Sequence, residues 1–115
     1  MSDRKAVVLL MFDLPMTTPA SRSAYYHFKK ALRLQGFLPL QESCYIKLLR
    51  NASTLPSAIR EIQHSLPREG TVHILPLSQN QFSEMHCLCG KPFEMDVFSG
   101  DLFIIGEEEE KENAG

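Results

Sequence analysis

Tryptophan is absent from the chain, and the longest uninterrupted apolar run is the seven residues from Ala6 to Phe12. A bilayer crossing needs about 20 such residues, so no transmembrane helix is expected. Arg4 and Lys5 precede that run like the start of a signal peptide. No small-residue cleavage site follows them, which reads against export. Cysteine is scarce and odd in number: Cys44, Cys87 and Cys89. That count does not make a disulfide framework and fits a reduced, cytoplasmic setting. A glycine-rich phosphate loop is missing, and no histidine lies beside a nucleophile in sequence. Both absences argue against nucleotide hydrolysis and covalent Ser or Cys catalysis. The histidines, His27, His64, His73 and His86, are scattered without ligand spacing. Finally, no acidic residue occurs anywhere in 17–41.

What remains is an ordinary globular composition of 115 residues, 43% hydrophobic and 23% charged. A chain of this length forms one domain and buries roughly two thirds of its extended surface. The net charge of −2 hides an uneven distribution. Residues 107–115 hold five Glu and one Lys, leaving 11 basic and 9 acidic residues in 1–106. The expected organisation is a single mildly basic domain over 1–106 and an acidic, disordered tail over 107–115.

Ala6 to Phe12 lacks a helical period and predicts a strand buried on both faces, ending at Asp13-Leu14-Pro15. Thr18 and Pro19 form a helix start. Ala24, Tyr25, Phe28, Ala31 and Leu32 then recur at helical spacing until Gly36. Phe37 to Leu49 reads as two short strands joined by a bend at Gln41-Glu42-Ser43. Cys44, Ile46 and Leu48 fall on one face, Tyr45 and Lys47 on the other. Leu55, Ile59, Ile62 and Leu66 predict a second amphipathic helix from Asn51 to Leu66, stopped by Pro67. Thr71 to Leu77 predicts a strand, placed at a sheet edge by Pro76. A short helical turn, Gln79 to Met85, is capped by Ser78. Residues 86–100 have no clear period, and Leu102 to Ile105 forms a last strand. The order β-α-β-β-α-β is the α+β ferredoxin-like sandwich with an additional C-terminal strand. That strand would extend the sheet locally or add to the sheet of another protomer.

Three features carry candidate chemistry. Asp13 closes a buried strand at the sheet rim, where a carboxylate can serve a hard cation such as Mg²⁺ together with water and phosphate. An Asp before Leu-Pro also forms turns on its own account. A two-fold homodimer would bring two such carboxylates together. Next, Arg22, Lys29 and Arg33 lie within about 40° of one another on the first helix at 100° per residue, with Tyr26 beside them and Lys30 further round. Lys47 and Arg50 would extend this basic surface, which suits phosphates rather than base edges. A solvated, merely structural face has the same pattern. The third feature is His86, Cys87 and Cys89, three potential metal ligands in four residues. A structural zinc site needs a fourth, so the alternative is a loop or helix end with buried thiols.

The stretch Val8-Leu9-Leu10-Met11-Phe12-Asp13-Leu14-Pro15 resembles the first-strand signature of the CRISPR-associated Cas2 family. The resemblance continues through Arg22, Tyr25, Phe28, Gly36-Phe37, Gln41-Glu42-Ser43-Cys44-Tyr45, Gly70-Thr71-Val72 and Gln81-Phe82. It covers residues 6–105, and its form is similar to the type II subgroup. It implies a ferredoxin-like homodimer acting in spacer acquisition, bridging dimers of the Cas1 integrase and holding duplex protospacer DNA. It also implies a Mg²⁺-dependent endonuclease on RNA or DNA, with Asp13 as catalytic residue and metal ligand and Arg22 at the DNA backbone. Leu102, Phe103, Ile104 and Ile105 would cross to the partner and help dock the integrase. Met16 to Ser21 lacks the charged residues many members place there, which favours the scaffold over the nuclease. A stand-alone, toxin-like endoribonuclease of the same fold is the alternative, and a metabolite-binding regulatory module a third reading.

Overall fold

The computed structural model of the chain describes residues 5–93, 95–98 and 101–104, the last two segments as backbone strands. Strand β1 (Ala6–Asp13) is followed by helix α1 (Pro19–Leu34), strands β2 (Leu38–Gln41) and β3 (Cys44–Leu49), and helix α2 (Leu55–Gln63). Strand β4 (Thr71–Ser78), helix α3 (Gln79–Ser83) and strands β5 (Met95–Phe98) and β6 (Asp101–Ile104) complete the order. The main sheet runs β2-β3-β1-β4 with every pairing antiparallel. This is the ferredoxin-like arrangement expected from sequence.

Local chemistry explains the boundaries. Thr18 accepts from the Ser21 amide at 3.0 Å while the Ser21 hydroxyl accepts from the Thr18 amide at 2.9 Å. This reciprocal cap, with Pro19 next, starts α1 and is worth about 1 kcal/mol. At the other end Gly36 takes φ +94°, letting Phe37 N–H reach the Leu32 carbonyl at 2.9 Å. That closure satisfies the terminal carbonyls and drops Phe37 into the core. α2 is shorter than the spacing predicts. A 3₁₀ turn over Ala52–Thr54 precedes it, with Asn51 accepting from Ser53, and Leu66 lies beyond its end, exposed.

Alternation along β1 divides the core. Val8, Leu10 and Phe12 face both long helices, packing with Tyr25, Phe28, Leu32, Ala58 and Ile62. The Phe12 ring meets Phe28 edge-on at 5.4 Å and Tyr25 at 5.9 Å, and stacks on Tyr45 at 6.0 Å. Val7 and Ile46 face the other way, where Phe82 of α3 and Phe93 cover one end of the sheet. The other end of this second face, around Leu9, Met11 and Leu75, stays partly open, with Leu75 47% exposed.

Two expectations are corrected. The aperiodic stretch 86–100 contains β5, which pairs with β6 as a separate two-stranded sheet, so the last strand does not join the main one. Its hairpin partner was hidden because a four-residue strand offers too little alternation to register. Ile105 and the tail over 107–115 lie outside the described residues. The thiols of Cys87 and Cys89 are exposed rather than buried.

Candidate nucleic-acid interface and carboxylate rim

Asp13 is the last residue of β1, exposed at the sheet rim and paired in register with Thr71. Its place is fixed from two sides. The Phe12 amide donates to the Ser43 carbonyl at 3.0 Å, tying the strand end to the β2–β3 bend. From the other side Gly70, at φ +100°, presses its backbone onto Asp13 and Leu14. A Cβ there would lie 2.7 Å from the Asp13 carbonyl oxygen and 2.5 Å from Leu14 Cδ2. Only glycine fits both that conformation and that approach. Ser43 is itself left-handed, φ 65°, and its side chain acts to lower the pKa of the Tyr25 phenol. Burial, followed by the charge of Glu42, nevertheless holds the Tyr25 phenol above its ordinary range.

The cations of α1 lie about a quarter turn round the helix from Tyr25, Phe28 and Leu32, on its more exposed side. Arg22 donates to the Met16 carbonyl at 3.3 Å, which leans its guanidinium back toward the rim. Lys29 is half-buried, its Nζ 5.1 Å from the Tyr25 ring centroid and 5.5 Å from that of Tyr26. Such cation–π contacts are worth about 0.5–1 kcal/mol at exposed sites and hold the ammonium in place without neutralising it. Lys30 and Arg33 are exposed beyond it.

Lys47 is brought to the same helix at its C-terminal end. Its Nζ sits 5.7 Å from the Phe37 ring centroid, and a Cβ on Gly36 would come 3.6 Å from its Cε. Arg50 goes elsewhere, to a cleft of about 330 Å³ between β3 and α2 shared with Lys47, Thr54, Ser57 and Glu61. The structure thus gathers Arg22, Lys29, Lys30 and Arg33 along one helix, with Lys47 of β3 at its C-terminal end, and turns Arg50 to a cleft that Lys47 and Glu61 also line.

Among the described residues no group of three or more His, Cys, Asp or Glu side chains converges on a point that could hold a metal ion. His86, Cys87 and Cys89 therefore do not make one. The Cys87 thiol instead turns back on its own loop, donating to the Cys89 carbonyl at 3.3 Å. Asp13 offers one carboxylate per chain. That donor set fits a cation of the Mg²⁺ kind, which takes one or two protein carboxylates and fills its shell from water and phosphate. No helix among the described residues is long and apolar enough to cross a membrane. Sequence reasoning missed Gly70 as the support of the rim and Glu61 in the cleft. The left-handed φ of the first is signalled by a glycine before a strand; the second has no sequence signal.

A small antiparallel α+β sandwich with a cationic helix face and a carboxylate, Asp13, at its sheet rim defines the class of molecule. Residues 6–85 match the model of the family "CRISPR associated protein Cas2". Proteins named CRISPR-associated endoribonuclease Cas2 are similar over most of their length. That of Treponema denticola is 36% identical over 84 residues, 73% of this chain and 83% of the relative. That of Ligilactobacillus salivarius is 34% identical over 98 residues, 85% of this chain and 97% of the relative. One from Streptococcus mutans serotype c (strain NN2025) is 37% identical over 102 residues, 87% and 94% respectively. A solved structure titled "Crystal structure of cas2" superimposes with a TM-score of 0.55 at 16% identity, over 81% of this chain and 99% of that one. At that identity the superposition speaks for the fold alone. The chain belongs to the CRISPR-associated Cas2 family.

Proposed function

We propose that this protein is a cytoplasmic scaffold for spacer acquisition: a homodimer that holds duplex DNA by its phosphates and bridges dimers of the Cas1 integrase. The observation that carries the reading is the row Arg22, Lys29 and Arg33 on α1, with Lys47 of β3 at its C-terminal end and no acidic residue anywhere in 17–41. Arg22 and Arg33 lie eleven positions apart. At 1.5 Å per residue they span about 16 Å, or roughly five base-pair steps of 3.4 Å. Long cationic side chains on a solvated helix meet phosphates and read no bases.

Dimerisation is supported by the partly open sheet face around Leu9, Met11 and Leu75, which a second copy would cover. α1 lies on the opposite layer, so a pair joined this way carries its cationic rows along its flanks. By side-chain alternation Asp13 shares the open face, and a two-fold axis near it would set two carboxylates close together. The β5–β6 hairpin, bearing Leu102, Phe103 and Ile104, supplies a strand edge for docking the integrase.

The names of the relatives, endoribonucleases, favour a second reading, an endonuclease on RNA that would extend to DNA, here with Asp13 as the residue that holds a divalent cation. Bound at a phosphodiester, such a cation supplies Lewis acidity and an activated water. Asp13 would anchor it, while the α1 cations hold the flanking phosphates. Cleavage of RNA and duplex DNA by the wild type and Asp13→Ala, with and without Mg²⁺, separates the readings. Cleavage falling more than 100-fold in Asp13→Ala, with duplex binding and integrase pull-down retained, supports both. Equal residual cleavage ends the enzymatic reading, and loss of neither pull-down nor binding on reversing the α1 charges ends the scaffold.

A further inference from the structure

The register of β1 against β4 places a second potential donor beside Asp13. Asp13 stands opposite Thr71, and Met11 opposite His73. Residues two apart on a strand share a face, so Asp13 and His73 are diagonal neighbours on the open face of the sheet. Such diagonal positions are about 7–8 Å apart. The rest of what β1 and β4 present on that face is Val7, Leu9, Met11, Leu75 and Leu77, with Thr71 the one other polar residue. An imidazole and a carboxylate thus stand together at the edge of an apolar surface. Both are exposed, and among the described residues neither side chain is engaged in a hydrogen bond or ion pair.

We propose that His73 and Asp13 together form a mixed nitrogen–oxygen site for a divalent transition-metal cation of the Mn²⁺ or Co²⁺ class. The inference rests on the reading of Asp13 as a cation ligand and deepens it by naming the second ligand and the kind of cation. Metal–donor bonds of about 2 Å from each side chain span the diagonal separation without backbone movement. Imidazole suits first-row transition cations, whereas Mg²⁺ prefers an all-oxygen shell. With two ligands per chain the remaining coordination positions stay open to water and a phosphodiester oxygen. An open shell belongs to a reacting site rather than a structural one.

The test is Mn²⁺ titration of the full-length protein followed by NMR line broadening, which needs no activity. Substoichiometric Mn²⁺ broadens the His73 ring and the Asp13 and Thr71 amides, and spares the rings of His27 and His64. His73→Ala weakens Mn²⁺ binding by about tenfold and leaves Mg²⁺ binding unchanged, while Asp13→Asn weakens both. Both positions are exposed, and unchanged melting temperatures verify that the variants fold. A His73 ring that stays sharp while Asp13 broadens overturns the inference and leaves Asp13 as an all-oxygen ligand. If neither responds, both the inference and the cation reading of Asp13 fall.

Discussion

At the residue scale, Gly70 decides where Asp13 sits. A side chain at φ +100° is strained by itself, and its Cβ would also meet backbone at 2.7 Å, which cannot swing aside. Gly70→Ala is expected to lower stability by about 2 kcal/mol or more, with thermal melts as the measure. Leu14→Ala in that background relieves only the 2.5 Å side-chain contact and restores part of the loss. Restoration to the wild-type melting temperature would show that the backbone approach to Asp13 is not the constraint. Burial raises the pKa of the Cys44 thiol, so less of it is thiolate at neutral pH. Cys87 and Cys89 are exposed. Iodoacetamide followed by peptide mass spectrometry should label those two first and Cys44 last. Cys44 reacting as fast as its exposed counterparts would contradict its place on the sheet.

At the scale of the element, α1 is a two-sided device. Tyr25, Phe28 and Leu32 anchor it on Phe12 and β1, while the cations line its outer side. Each phosphate contact contributes about −0.9 to the slope of log K against log salt for duplex DNA. Replacing Arg22, Lys29 and Arg33 by Gln should therefore flatten the slope by about 2–3 and weaken binding alike for unrelated sequences. Fluorescence anisotropy at several salt concentrations measures both. Arg50→Gln, set apart in the cleft beside Glu61, should change the slope by less than any one of the three. Lys29 differs from its neighbours in carrying two aromatic contacts, so Lys29→Gln also loosens Tyr26 against the helix.

For the whole molecule the question is which surface meets a second copy. One face of the sheet is sealed by α1 and α2; among the described residues the other is sealed only where Phe82 and Phe93 reach. Leu75→Asp and Met11→Asp put charges on the open part without touching the sealed core. The expected outcome by light scattering is a dimer for the wild type and a monomer for the double variant, still folded by circular dichroism. A double variant that remains dimeric would move the interface elsewhere, and with it the pairing of two Asp13 carboxylates. The β5–β6 hairpin is the other candidate contact, and its removal should leave the sandwich folded because it shares no ladder with the main sheet.

The chain's local grammar was readable in full where a short-range signal existed. Thr18-Pro19 and Gly36 bounded α1, Gln41-Glu42-Ser43 marked the bend, Pro76 marked an edge strand, and the period of α1 exposed its cationic side. Those signals live within a few residues, in capping, backbone freedom and side-chain periodicity. The early end of α2 was not readable, because the apolar spacing runs on to Leu66 while the helix stops at Gln63. What lies far apart in sequence was decided by tertiary structure alone. Only strand register sets His73 beside Asp13, and only the packing of the α2–β4 loop sets Gly70 against the same residue. The sequence determined which side chains could bind a phosphate or a cation. Antiparallel pairing of β1 with β4, driven by burial of alternate faces, determined which of them stand side by side.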